Sequence, residues 1–169
     1  MVRTGIAIYG YPHDAAAGGG LAPVMALKSH LARIHQVLAG GSVSYGRTWT
    51  AERPTTVGLV MAGYGDGLPR LLSSSGSAII AGRRVPIIGR VCMDQCIVDL
   101  TAVPDATIGQ EMVLVGHSGR EFIGADDIAG LSGTISYEVL TGVAARVPRL
   151  FLRGGKVIEV QTLNATLTA

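Results

Sequence analysis

The stretch GSVSYGRTWTA, residues 41 to 51, sets one tyrosine between small residues with an arginine two positions on. A free phenol titrates near ~10 and is a poor base at neutral pH, but neighbouring positive charge lowers that value toward the working range. Tyr45, with Arg47 close by, therefore has the make-up of a proton-transfer group, and Ser44 and Gly46 leave its ring room to reach a reacting atom. The same spacing also suits a tyrosine packed at the end of a hairpin. Residue types alone leave both roles open.

Two further clusters could carry chemistry. Cys92 and Cys96 stand in RVCMDQCIVDL; on a strand, residues four apart are separated by ~13 Å, too far for a disulfide. The β-branched flanks favour a strand, and His13, His30, His35 and His117 are too scattered to complete a zinc set. Both cysteines read as reduced structural thiols, and no metal site is expected. GYGDG, residues 63 to 67, is glycine-spaced but lies in a strand-to-turn setting, a poor context for a phosphate cradle. No P-loop, dinucleotide fingerprint, nucleophile elbow or zinc-protease motif is present.

Composition narrows the classes. Hydrophobic residues make up 48% of the 169, enough for a folded core rather than a disordered chain. The net charge of +2 comes without any Lys/Arg block, so no nucleic-acid partner is expected. No apolar run reaches the ~18 residues that span a bilayer, and MVRTGIAIYGYPHD is too weakly apolar for a signal peptide. A cytoplasmic location without a membrane partner is the expectation. Lys28 and Lys156 are the only lysines; the other basic residues are arginines, whose fork geometry suits carboxylates and phosphates.

The elements that would position these residues are mainly strands. VRTGIAIY, 2 to 9, reads as a short buried strand, followed by a glycine-rich connection over 10–23. Residues 24–38 fit either a helix or an alternating strand with a bulge before Ile34 and Val37. From 54 onward TTVGLVMAGYG, SAIIAGRRVPIIGRVCMDQCIVDL and QEMVLVGHSG are β-branched runs, with a hairpin turn at AGRR. GADDIAGLSG suits a short helix, SYEVLTGVAARV continues helical to Pro148, and the last hairpin turns at Gly154–Gly155. The expected fold is mainly β, a closed Greek-key-like β-barrel with short helices near the C-terminal end.

Seven stretches in register, VRTGIAIYG, VSYGRTWTA, GYGDGLPR, GRVCMDQ, ADDIA, GTISYEVL and RVPRLF, are similar to the C-terminal part of bacterial alanine racemases. That resemblance implies a pyridoxal-phosphate (PLP) enzyme that interconverts L-alanine and D-alanine for peptidoglycan. It implies an N-terminal (β/α)8 barrel, a C-terminal β domain and a head-to-tail homodimer with active sites at the subunit boundary. Residues 1–12 would then be the remnant of the last strand of that barrel, and 13–169 the C-terminal β domain.

The residue roles follow from the same resemblance. Racemisation uses two bases on opposite faces of the α-carbon, a PLP-bearing lysine of the barrel and a tyrosine from the partner's C-terminal domain; Tyr45 matches that tyrosine. Arg3 matches the arginine on the pyridine nitrogen of PLP, and Gly5, Ile6 and Tyr137 match contacts to its phosphate. Met93 matches a backbone contact to the substrate carboxylate, and Tyr64 a tyrosine of the inner gate. Arg70, Arg90, Asp94 and Ile135 fall along the substrate corridor. The PLP lysine has no match, since Lys28 and Lys156 lie in other contexts. The isolated chain is therefore expected to be inactive and to bind no PLP alone. A stand-alone, non-catalytic binding module and a serine-type racemase domain are the alternatives, whereas CMDQ speaks against the related decarboxylases.

Overall fold

The computed structural model describes residues 1–12 and 20–168, so most of the glycine-rich connection, with His13, lies outside the described residues. Among the described residues, twelve strands run in chain order as β1 Leu27–Val37, β2 Ser42–Val43, β3 Trp49–Thr50, β4 Thr55–Val60, β5 Ser77–Ile80 and β6 Arg83–Ile88, then β7 Cys96–Asp99, β8 Glu111–Ser118, β9 Glu121–Ile123, β10 Arg149–Arg153, β11 Lys156–Gln161 and β12 Thr166–Thr168. Two short helices, α1 Ala125–Ser132 and α2 Ser136–Thr141, follow β9.

The segment left open between helix and strand is β1. Leu27, Ser29 and Leu31 are buried while Lys28 and His30 are exposed, the period of two that a half-buried strand requires. A bulge falls between Leu31 and Arg33. Residues 27–30 pair antiparallel with β8, and residues 31–37, the stretch that contains the bulge, pair antiparallel with β4. Bulges bend and twist a strand, and here the bend lets one strand serve two neighbours. The order β1-β4-β7-β6-β5-β8, with β8 returning to β1, closes six antiparallel strands into a ring. Leu31, Val60, Ile79, Ile87, Val98, Leu100, Met112 and Leu114 fill it at no more than 1% exposure.

A smaller cluster lies beside that core. Val43 of β2 is buried with Val57 of β4 and Ile88 of β6, and Trp49 of β3, Val37 and Ile97 pack against them. Full burial of a side chain such as Val contributes roughly 1.5–3 kcal/mol. This contact seats the β2–β3 ribbon, which carries Tyr45, on the wall of the ring.

Several expectations hold in detail. The AGRR turn joins β5 to β6 with Ala81 and Gly82 both at positive φ, as a two-residue hairpin turn requires. The final hairpin turns at Gly154 and Gly155, also at positive φ. Helix α1 begins where Asp127 Oδ2 accepts a 2.7 Å hydrogen bond from the Gly124 N–H, and ends at Gly133 in the left-handed region.

Other expectations are corrected. Residues 2–9 do not form a buried strand: no described strand pairs with them, and Gly5–Tyr9 winds into a 3₁₀ helix with Ile6 as its one buried residue. A strand needs a ladder partner; without one the backbone closes local bonds such as Gly10 N–H to Ala7 O at 3.0 Å. The helical reading of SYEVLTGVAARV is too long, because α2 stops at Thr141 before Gly142. The segment between β6 and β7 is a loop rather than continuous strand. The last hairpin stands apart from the ring, in a separate β10-β11-β12 sheet whose Leu150, Phe151 and Leu152 are exposed.

Gly58 of β4 is buried, and a Cβ there would stand 2.6 Å from both Leu31 Cδ1 and Leu100 Cδ1. Both leucines are fully buried and have little room to yield. Gly58→Ala should therefore destabilise the domain by about 1–3 kcal/mol, read as a lowered denaturation midpoint with an unchanged slope.

Candidate functional site

The site is assembled where three connections meet at one end of the ring. Because Val60, the last residue of β4, pairs with Cys96, the first of β7, and Ile88 at the end of β6 pairs with Ile97, the chain leaving β4 and the β6–β7 loop emerge side by side. The turn of the β2–β3 ribbon completes the third wall.

In that turn Tyr45 opens a short 3₁₀ segment, Tyr45–Arg47, with Ser44 at φ 65° and Gly46 at φ 72°. A non-glycine residue at positive φ costs of order 1–3 kcal/mol and persists only where its surroundings fix it. Here the Ser44 hydroxyl donates a 2.6 Å hydrogen bond to the Arg90 carbonyl and pins the turn to the β6–β7 loop. The result is a tyrosine 72% exposed, its ring turned away from the cluster that anchors the ribbon.

The β6–β7 loop is itself braced. Ser73 Oγ accepts from the Val91 N–H at 3.0 Å, and the Cys92 N–H reaches Gln95 O at 2.9 Å. The turn after β4 then docks onto it backbone to backbone: Tyr64 N–H donates to Cys92 O at 2.9 Å and Gly65 N–H to Met93 O at 2.7 Å. The glycines of GYGDG permit this approach. A Cβ on Gly63 would lie 2.2 Å from Cys92 O, and one on Gly65 would lie 2.9 Å from Met93 O. The motif serves backbone contact.

Between these segments lies a cleft of ≈ 500 Å³ lined by Tyr45, Tyr64, Arg70, Arg90, Met93 and Asp94, six of the residues singled out in the sequence. Val91, Cys92 and Gln95 complete the lining. Cys92 reads from the sequence as a structural thiol; nothing marks Val91 and Gln95 in isolation, and only their place beside Met93 in the loop could have suggested them. A smaller hollow of ≈ 290 Å³ shares Tyr45, Cys92 and Gln95, so the Tyr45 ring borders both spaces. Two guanidiniums against one carboxylate give the cleft a positive bias suited to a small carboxylate. The guanidinium brought against the Tyr45 turn is that of Arg90, whose Nε lies 3.2 Å from where a Gly46 Cβ would stand.

The remaining candidates lie elsewhere in the fold. Arg3, Gly5 and Ile6 belong to the N-terminal segment; Ile6 points into the core while Gly5, at φ +55°, has open space where a Cβ would stand. Gly5 and Ile6 lead a 3₁₀ helix, so their N–H groups have no partner within it. Among the described residues neither N–H has a backbone partner, and two such amides beside an open glycine leave room for a phosphate. Tyr137 stands in the first turn of α2, 39% exposed, and Ile135 caps that helix from an exposed position. Neither lysine is free for the cleft: Lys28 Nζ is paired with Glu111 at 3.0 Å, and Lys156 lies in the outlying sheet. Among the described residues, no three His, Cys, Asp or Glu side chains come together as a metal ion would need, and no helix is long and apolar enough to cross a membrane.

Both cysteines are free thiols. Cys92 borders the cleft, 3.5 Å from Ser44 Oγ, whereas Cys96 is sealed in the core. Burial pushes the Cys96 thiol up from 9.0 to about 12, with the proximity of Cys92 adding to the rise. A raised folded-state value stabilises the fold fully below the unfolded value, and that contribution is lost as pH climbs through the folded one. Stability should therefore decline between pH 9.0 and about 12, and Cys96→Val should flatten that decline in denaturation curves recorded across the range.

Comparison with known proteins places these features in a wider set. Residues 24–151 match the family model described as alanine racemase, C-terminal domain. The chain is 48% identical over 157 residues to an alanine racemase of Desulfosudis oleivorans, an alignment covering 91% of this chain and 40% of that protein. It is 42% identical over 160 residues to one of Hahella chejuensis, covering 93% and 42%. Among solved structures, Bacillus anthracis alanine racemase with bound L-Ala-P superposes with a TM-score of 0.87 at 37% identity, covering 93% of this chain and 41% of the other. Alanine racemase of Bartonella henselae with covalently bound pyridoxal phosphate superposes at 0.74 with 29% identity, covering 82% and 38%. The chain thus spans about two fifths of the length of these relatives.

Proposed function

As the chain belongs to the alanine racemase family, of which it forms the C-terminal domain, we propose that it supplies the second base and the substrate gate of a PLP-dependent enzyme interconverting L-alanine and D-alanine. The observation that carries this reading is the cleft itself. It collects Tyr45, Tyr64, Arg90 and Met93 from three separate connections around one small, positively biased space.

Within that reading each residue has a task its geometry suits. The exposed Tyr45 phenol moves the α-proton on one face of the substrate, with the Arg90 guanidinium lying beside its turn. Cys92 O is committed to the Tyr64 N–H; across a planar trans peptide the Met93 N–H must then point the opposite way, free to bind the substrate carboxylate. Tyr64, Arg70 and Asp94 border the approach from the cleft, and Ile135, at the start of α2 outside the cleft, would flank it only in the assembled enzyme. Arg3, Gly5, Ile6 and Tyr137 would hold PLP, which when bound supplies the electron sink that makes the α-proton removable.

The first base, the PLP-bearing lysine, belongs to the family's barrel domain, so catalysis needs that domain, and the active site is completed across a head-to-tail homodimer in the cytoplasm. Residues 1–12 are read as the end of the barrel and 13–169 as the β domain, whose six-strand ring is taken as a closed Greek-key-like barrel. This chain alone is proposed to be inactive and to bind no PLP.

A hybrid carrying this domain in place of the matching two fifths of the Desulfosudis oleivorans relative should racemise alanine. Tyr45→Phe in that hybrid should slow racemisation roughly 10²–10⁴-fold, equally from either enantiomer, because the equilibrium constant ties the two directions together. Exchange of the α-hydrogen with deuterated water should persist for D-alanine, which the lysine face serves, and vanish for L-alanine. A Phe variant with unaltered racemisation would overturn the assignment of Tyr45.

A further inference from the structure

Asp66 and Arg146 lie 80 residues apart and meet at the turn that bears Tyr64. Asp66 Oδ2 accepts a hydrogen bond from the Gly63 N–H at 2.9 Å, closing the turn that presents Tyr64. Its Oδ1 takes both Nε and Nη2 of Arg146 at 2.9 Å. The Asp66 carbonyl accepts from the Ala144 N–H at 3.2 Å, so the carboxylate and the backbone of one residue grip the same returning segment. A Cβ on Gly67, at φ +107°, would stand 2.7 Å from Gly142 O, so this approach too depends on a bare glycine.

The guanidinium does more than balance a charge. A Cβ on Gly65 would come within 2.9 Å of Arg146 Nη2 and 2.9 Å of Met93 O, so Arg146 lies against the Gly65 peptide on the flank where Met93 docks. That peptide donates to Met93 O. One side chain therefore holds the turn bearing Tyr64, lies beside the Gly65 peptide that docks on Met93, and belongs to the segment that leaves α2, the helix bearing Tyr137.

We propose that Arg146, held by Asp66, is a positioning residue that sets Tyr64 and Met93 for substrate binding and ties them to the helix carrying Tyr137. The inference rests on the racemase reading given above. Because Tyr64 and Met93 bind substrate rather than move its proton, loss of Arg146 acts on binding. An arginine suits the place because two nitrogens of its planar fork reach the Asp66 carboxylate while one of them, Nη2, also lies beside Gly65; a lysine ammonium offers a single nitrogen for both.

The test uses the hybrid enzyme with three side chains at position 146. Arg146→Leu should raise KM for alanine about tenfold while kcat stays within about twofold, and Arg146→Lys should fall between it and the parent. Thermal denaturation of each variant identifies loss of folding separately, and the Lys variant keeps the test alive if the Leu variant does not fold. A purely structural arginine would lower Tm and leave KM alone. An active hybrid whose folded Arg146 variants all keep the parent KM, or lose kcat instead, overturns this proposal and leaves the racemase reading standing. A folded, assembled parent hybrid that binds PLP yet does not racemise overturns that reading, and this inference with it.

Discussion

The double pairing of β1 is the constraint from which the rest of the domain follows. Residues 27–30 of that strand pair with β8 and residues 31–37 pair with β4, and the bulge between Leu31 and Arg33 adds bend and twist where β1 passes from one neighbour to the other. Closure removes two sheet edges at once and encloses a core in which Leu31 is fully buried. It also fixes which strand ends coincide. With β4, β7 and β6 adjacent, the connections that leave them are brought to one place.

From that coincidence the cleft is built mainly by the backbone. Met93 and Tyr64 are located by peptide-to-peptide hydrogen bonds between two loops, and Tyr45 by a seryl hydroxyl on a third. Such contacts require the chains to approach more closely than any Cβ would allow, which accounts for the glycines at 63 and 65. The side chains are thus left exposed toward the shared space while their main chains are fixed.

The outlying parts of the chain obey the opposite logic. The β10–β12 sheet exposes Leu150, Phe151 and Leu152, and the first residues wind into a 3₁₀ turn that is tied back to α1 when Tyr11 Oη accepts from the Ala125 N–H at 3.0 Å. Burial raises the Tyr11 phenol above its usual value, while that backbone bond pulls the other way. Ring and cleft are self-sufficient in their packing; these flanks are not. The relatives are more than twice as long as this chain, and these flanks are where its packing is least complete within itself.

Much of this was determined by sequence alone. Alternation of buried and exposed residues, turn glycines and helix caps are local properties, so the hairpins at 81–82 and 154–155 and helix α1 follow directly from the residues. The family resemblance rested on motifs such as VSYG and GRVCMDQ, and it drew attention to Tyr45, Tyr64 and Met93 without showing that they share a cleft. Tertiary structure alone decided the rest. Residues 24–38 had local patterns compatible with two elements, and only partners on both sides made them β1. The N-terminal eight residues had strand-like composition but no ladder to join. The meeting of Asp66 with Arg146 left no trace in spacing, because a contact between residues so far apart in the chain is set by how strands are ordered in space.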